Sequence, residues 1–350
     1  FDLFGVEAGA QLNLIDAVVT GANGNLGAVS SYNGNLNVLN SDISNNQSTG
    51  VFDIFSINSS VVNSTVSQNT ILYTGAGTGY SFSPLTTYQS TGFELRNSTI
   101  SGNVGGVGGG VDFRGVTLAT MENSTVSGNS AVSVGGLLVT AGYYAQFMPI
   151  AKIRNSTITA NSGSYTGGIY AAANLPNRLS MSDSIVSGNQ YVVAPPRVIT
   201  NNNTLGQGLN LTRGPGAVPS EIYSSPYFSL DANNIIGQNG DSGTVGALLG
   251  GSDTVPAGAT STVIESLADN GGGTLTHLPV LGGLAVDGGD QSCRLNEDQT
   301  GRIRPWDGDG DGNENCDIGS VELGSIYASD IIFKDGFDPT IIVRRSLLGD

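Results

Sequence analysis

A seven-residue phrase repeated along the first half of the chain constrains the fold most. It reads Asn-Ser-Thr-Ile-Ser-Gly-Asn at Asn97–Asn103 and returns at Asn40–Asn46, Asn63–Asn69, Asn123–Asn129, Asn155–Asn161 and Asp183–Asn189, with a weaker first copy from Asp16. Two residues before the lead Asn or Asp stand Leu14, Val38, Val61, Leu95, Met121, Ile153 and Met181. Three after it stand Val19, Ile43, Val66, Ile100, Val126, Ile158 and Val186. Pairs such as Phe93/Leu95 alternate with polar residues, the period of a half-buried strand. From Leu95 to Ile100 is five positions, an odd number that places the two side chains on opposite faces of a flat strand. Both reach one core only if the chain turns a corner at the lead residue, and Asn tolerates the left-handed backbone such a corner needs. The corners are therefore Asn40, Asn63, Asn97, Asn123 and Asn155, and their stacking leaves room for a ladder of amide hydrogen bonds.

Copies start roughly 23 to 34 residues apart, a spacing that signals a solenoid. No stretch keeps a helical period. The expected fold is all-β: a right-handed parallel β-helix followed by an irregular, disulfide-linked C-terminal segment. Residues 1–200 form the repeats, 201–266 irregular final coils, 267–324 a distinct tail segment and 325–350 a strand-like end. Gly-rich starts such as Gly108-Gly109-Gly110 and Gly135-Gly136 suit tight corners and close backbone stacking. Two stretches vary most in length, Thr70–Thr91 with Tyr73, Tyr80, Phe82 and Tyr88, and Ala141–Pro149 with Tyr143, Tyr144 and Phe147. They read as loops that bind something or that pack back on the coils.

The net charge of −16, with Lys only at 152 and 334, argues against nucleic acid or an anionic membrane as partner. It fits a secreted protein, soluble by charge and open to cations. No signal peptide or transmembrane run is visible. The chain opens inside the repeat pattern, which reads as a mature or processed portion. Cys293 and Cys316 are the two cysteines, compatible with one disulfide in an oxidising compartment.

One motif looks metal-binding. Asp307-Gly308-Asp309-Gly310-Asp311-Gly312-Asn313, continuing to Asp317, alternates oxygen-bearing side chains with Gly, as calcium loops do. It resembles the first half of an EF-hand or type-3 thrombospondin loop, but the twelfth position falls on Ile318 where a bidentate Glu belongs. The candidate calcium ligands are Asp307, Asp309, Asp311, Asn313 and Asp317; the other reading is an acidic hairpin tied by the cysteines.

The tail carries a resemblance. Asp269-Asn270-Gly271-Gly272-Gly273-Thr274-Leu275-Thr276-His277, then Ala285-Val286-Asp287-Gly288-Gly289-Asp290, Asp298-Gln299-Thr300-Gly301-Arg302-Ile303-Arg304-Pro305 and Cys316-Asp317-Ile318-Gly319-Ser320-Val321-Glu322 resemble the end of bacterial secreted parallel β-helix proteins of the choice-of-anchor Q type. The repeats are similar to polymorphic outer-membrane-protein repeats. Gly282-Gly283-Leu284 and Thr300 depart from the usual pattern. The resemblance implies fold and an extracellular place at a bacterial surface, not a reaction. His277, the sole histidine, belongs to this signature and reads as a hydrogen-bonded structural residue.

Two functional classes follow. One is a structural or adhesive surface or matrix protein that self-associates end to end, with Ile341, Ile342 and Val343 as the candidate assembly strand. The other is a protein that binds or cleaves an extracellular polysaccharide, by analogy of fold. Cleavage needs carboxylates gathered on one face; Asp53 with Asp112, and Arg96 with Arg154, are the candidates for shared faces. No catalytic residue is singled out.

Overall fold

The computed structural model describes residues 4–6, 8–71, 83–141, 150–172, 179–192, 221–334 and 342–344. It is a parallel β-helix. Each coil contributes a strand of the Gly92–Arg96 type to a seven-stranded sheet (sheet I) and one of the Thr99–Ser101 type to an eight-stranded sheet (sheet II). Strands of the Val104–Gly105 type form a four-stranded sheet (sheet III), and those of the Val111–Arg114 type a nine-stranded sheet (sheet IV). Every neighbour within these sheets is parallel, and the register holds from coil to coil, as in Leu95↔Met121↔Ile153↔Met181 and Ile100↔Val126↔Ile158↔Val186, except for shifts in sheet IV between Asn23 and Gly27 and between Tyr223 and Phe228.

The core lies where the spacing puts it. The seven aliphatic or Met residues before each lead and the seven β-branched residues after it all join one hydrophobic cluster. They reach a common interior because the lead residue has positive φ in all seven copies: Asp16, Asn40, Asn63, Asn97, Asn123, Asn155 and Asp183 lie between +43° and +52°. The sixth position of the phrase turns a second left-handed corner, at Gly102, Gly128 and Gly188 but also at Asn45, Gln68 and Ala160. The sequence reading had not marked that corner.

Side-chain stacking differs from the expectation. At the lead position it is interrupted: Asn40 Nδ2 donates to Asp16 Oδ1 (3.2 Å) and Asn63 Nδ2 to Asn40 Oδ1 (3.3 Å) in the first coils, and Asn233 Nδ2 to Asp183 Oδ1 (3.3 Å) in the last. Oδ1 of Asn97, Asn123 and Asn155 is buried without a partner. The continuous ladder belongs to the Asn that closes the phrase. Asn46, Asn69, Asn103, Asn129, Asn161 and Asn189 are buried, and each of the first five donates its amide to Oδ1 of the next at 2.9–3.1 Å. The second Nδ2 hydrogen goes to a carbonyl of the preceding coil, as from Asn129 to Ile100 (2.9 Å). The next coil's Oδ1 also takes the backbone N–H, as from Asn103 to Asn129 (3.1 Å). Each carboxamide inside the ladder thus uses both donors and both lone pairs.

Serine at the second position runs a parallel ladder. Its hydroxyl donates to the carbonyl two residues back, as from Ser98 to Arg96 (2.7 Å), and accepts the preceding coil's N–H, as from Ser64 (3.1 Å). Both ladders end on carboxyl side chains, which carry no N–H to pass on to a further coil. Asn189 Nδ2 meets Glu221 Oε2 at 2.6 Å. Ser184 N–H meets Asn234, whose Nδ2 meets Asp253 Oδ1 at 2.9 Å. The solenoid therefore continues past residue 200 through Ile222–Ser229, Ile235–Ile236 and Thr244–Leu248.

Of the aromatics assigned to variable loops, Tyr88 instead closes the sheet IV strand Leu85–Tyr88 and packs edge-on against Phe55, with ring centroids 6.1 Å apart. The other six lie outside the described residues, as does Ile341. Ile342 and Val343 belong to the strand Ile342–Arg344, which pairs antiparallel with Ile331–Lys334 in a separate two-stranded sheet.

Candidate functional site

The tail segment does not hang off the end of the solenoid. It runs back over the outer face of sheet II, where the third and fifth positions of the phrase point outward. Thr99, Thr125 and Thr157 are buried there beneath it. Thr125 Oγ1 donates to Gln299 Oε1 (2.7 Å), and Gln299 Nε2 donates to Thr99 Oγ1 (2.8 Å) and Ser98 O (3.2 Å). Thr157 Oγ1 accepts Ser320 N–H (3.2 Å), and Asn123 Nδ2 donates to Glu297 O (2.6 Å). His277 Nδ1 lies 2.6 Å from Glu265 O, which can only accept, so Nδ1 carries the proton and Nε2 accepts from Ser127 Oγ (2.9 Å). Burial lowers the His277 pKa, and the bond to Glu265 O partly opposes it. The histidine is a neutral, hydrogen-bonded strut.

Arg304 organises the tail from within. Its Nη1 donates to Asp317 O (2.9 Å) and Nη2 to Gly319 O (2.8 Å), and Nη1 lies 3.3 Å from Glu322 Oε2, both side chains fully buried. Asp317 accepts N–H groups from Asp287 (2.8 Å) and Leu323 (2.6 Å). Asp298 accepts from Thr300, Arg302 and Glu322. Burial raises the carboxyls of Asp317 and Glu322, and Arg304 opposes it in both. Cys293 and Cys316 form a disulfide with Cα atoms 5.8 Å apart, clipping the acidic loop at its base.

The residues expected to ligate calcium separate into three environments. Asp307 and Asp309 come together with Asp287, their carboxylate oxygens all within 4.8 Å of one another, a set able to hold a metal ion. Asp287 comes from the preceding stretch, and only the fold brings it close. Asp311 lies outside this set and accepts from the backbone N–H and amide of Asn313 (2.8 and 2.9 Å). Asp317 faces the Arg304–Glu322 network. Asp307 also caps its own loop, taking N–H groups from Gly310, Asp311 and Gly312. Burial raises the Asp287 carboxyl, and Asp309 adds to this by like charge.

The paired acids do not share a face. Thr86 is registered with Asp112, whereas its neighbour Thr87 is registered with Asp53. That one-residue offset sends them to opposite sides of sheet IV. Asp53 points inward and accepts from the hydroxyls of Ser56, Ser59, Thr87 and Ser90. Asp112 points outward to Arg114 (2.6 Å). Burial raises both carboxyls, with those hydroxyls or Arg114 opposing. Arg96 and Arg154 do share a face, with Glu122 between them in register and 3.3 Å from Arg154.

The tail stops short of the first rungs of sheet II. There Val18 is 73% exposed, and a groove of about 550 Å³ opens, lined on the solenoid side by Asp16, Asp42, Thr65 and Asn97 and on the tail side by Glu297 and Gln299. No Lys, Arg or His is among the lining residues. Asp42 Oδ1 is buried there with no hydrogen-bond partner.

The chain matches no family model, no curated protein and no solved structure. Among the described residues no helix is long and apolar enough to cross a membrane.

Proposed function

We propose that the chain is an extracellular structural or adhesive protein of a bacterial surface or matrix, of the secreted choice-of-anchor Q kind, which assembles end to end into filaments. One observation carries the reading. Two directional hydrogen-bond ladders run the length of the solenoid, and a tail stitched to its outer face braces several coils at once. Such a rod resists bending and pulling while leaving its faces free for contact. The disulfide fits an oxidising compartment. Calcium is the cation we assign to Asp287, Asp307 and Asp309, since three carboxylates on a Gly-rich loop suit a hard ion.

A second reading, a polysaccharide-binding protein, is favoured by the polar groove beside the tail; cleavage has less support, because Asp53 and Asp112 face opposite ways. Negative-stain electron microscopy of the purified chain, with calcium and after chelation, tests the first reading. Regular filaments are expected, and chelation is expected to shorten or dissolve them. Dispersed single rods under both conditions would remove the filament reading and leave glycan arrays as the next assay.

A further inference from the structure

We propose that the outer face of sheet I over its first three strands, together with the aromatic corner beside it, binds an uncharged polysaccharide chain. The site is separate from the groove beside the tail and does not depend on filament formation.

The argument begins with what points outward. Along Gln11–Ile15, Asn35–Leu39 and Asn58–Val62 the positions that alternate with the core residues are five carboxamides, one serine and three aliphatic side chains, without one charge. On the following strands of the same sheet the outward positions carry Glu94, Arg96, Glu122, Lys152 and Arg154. In a chain of net charge −16 the neutral patch is therefore sharply bounded. An occupant charged in either sense finds no complementary group on it.

The carboxamides are held in place yet keep free donors. Asn13 Oδ1 accepts from Gln11 Nε2 (2.8 Å) and Asn37 Nδ2 (3.0 Å), and Asn35 Oδ1 accepts the N–H groups of Ile57 (3.2 Å) and Asn58 (3.1 Å). Among the described residues, Nδ2 of Asn13, Nδ2 of Asn35 and the whole carboxamide of Asn58 have no hydrogen-bond partner. The face thus presents amide hydrogens in rows set by the strand spacing of ~4.8 Å, close to the length of one sugar ring. Hydroxyl and ring oxygens are the uncharged acceptors such rows suit.

The corner supplies the apolar part. Where sheet IV turns into sheet I, Tyr32 is 53% exposed and Ile57 73% exposed. The Tyr32 ring stands edge-on to Phe55, with centroids 5.6 Å apart and an interplanar angle of 87°, and Phe55 in turn packs against Tyr88. Phe55 occupies a left-handed corner (φ +56°) of the kind that Asn33, Gln89 and Gly115 turn in neighbouring coils. A bulky residue there is an outlier, and its ring steadies Tyr32. Asn35 follows Tyr32 by three residues, so a sugar ring stacked on the tyrosine has the first carboxamides within reach. An aromatic surface flanked by a few fixed polar groups is the usual makeup of a small-molecule site.

Size decides against a protein partner. Three strands of five residues cover about 14 by 17 Å, or ~240 Å², against the ~800 Å² per partner of a stable protein interface. A peptide that adds as a strand needs an open backbone edge, which the face of a sheet does not offer. A narrow, linear, uncharged polymer fits both limits.

The test runs the full chain by native affinity electrophoresis through gels containing hydroxyethyl cellulose, laminarin or galactomannan, with alginate as the charged comparison. At least one neutral polymer is expected to retard the natural chain, and alginate is not. Tyr32→Ala removes the stacking ring and should raise the apparent Kd about tenfold. Asn35→Asp keeps the oxygen that takes the Ile57 and Asn58 N–H groups but replaces the free amide hydrogens by charge, and should weaken retardation similarly. Circular dichroism and the urea midpoint verify that both variants fold. Retardation by none of the neutral polymers, by alginate alone, or undiminished in both variants overturns the proposal. Retardation lost in Asp42→Asn but kept in Tyr32→Ala moves the glycan to the groove, which overturns this site and leaves the polysaccharide reading standing. A larger species in sedimentation that Tyr32→Ala dissociates makes the face a contact between copies and also overturns the proposal.

Discussion

Replacing Asn129 tests the closing-Asn ladder most directly. Its Oδ1 accepts Asn103 N–H at 3.1 Å and Asn103 Nδ2–H at 2.9 Å, and its Nδ2 donates to Asn161 Oδ1 and Ile100 O, both at 2.9 Å. Asn129→Ala leaves two buried donors on Asn103 without partners and removes one of the bonds to Ile100 O, a carbonyl that lies within the paired strand Thr99–Ser101. Asn161 Oδ1 keeps one bond, to the backbone of residue 129. At about 1–3 kcal/mol for each of the two orphaned buried groups, the loss is about 2–6 kcal/mol. Asn129→Asp separates geometry from donor count. A carboxylate keeps both bonds to Asn103 but cannot donate, and it sets one oxygen against Asn161 Oδ1. The buried acid's pKa then rises, so the Asp variant should be weak at neutral pH and recover in mild acid, where its proton can bridge to Asn161. Because solenoid stability is largely a sum over neighbouring coils, the damage should be local. Hydrogen exchange by mass spectrometry should show faster exchange in peptides covering residues 97–105 and 155–163, alongside a lower urea midpoint. A loss under about 1 kcal/mol for Ala, or an Asp variant indifferent to pH, would refute a fully paired ladder.

Burial raises the Glu221 carboxyl to about 8. Its stabilising contribution is therefore complete below the ordinary Glu pKa and is lost as pH climbs through about 8. Glu221→Gln should flatten that fall and raise the melting temperature at pH 9, read by scanning calorimetry. His277 runs the other way: its lowered pKa contributes stability above about 6.5 that is lost as pH falls further. In His277→Gln that acid-side decline should disappear from a urea-midpoint profile. Asn155 has φ +43° and an unpaired buried Oδ1, so Asn155→Gly should leave the urea midpoint almost unchanged while Asn155→Val costs about 1–2 kcal/mol.

The fold was legible because one arithmetic fact, five residues between two inward side chains, forces a corner at Asn97 and its counterparts, and the corner implies stacking. The lead Asn residues stack only in part, and the unbroken ladder belongs to the closing Asn. Sequence alone does not say which of two Asn residues faces inward when both flank a short strand; the second left-handed corner, at Gly102, turns Asn103 into the core. The threonine at the third position had no visible role, since its partners Gln299 and Ser320 lie far along the chain. Asp287 was missed for the same reason. Asp53 and Asp112 looked equivalent because both follow a glycine run, but register is counted from hydrogen-bonded neighbours, and one residue of difference reverses the face.

The carboxylates that end both ladders give the solenoid a direction. A coil carrying Ser and Asn at the second and seventh positions can be spliced between two existing ones, since it accepts from one side and donates to the other as its neighbours do. Placed after Glu221 and Asp253, the same coil would meet groups that lack the pair of amide hydrogens each Asn of the ladder supplies. Lengthening or shortening this rod by design is therefore an operation on its middle, and the carboxylates mark where duplication of the unit has to stop.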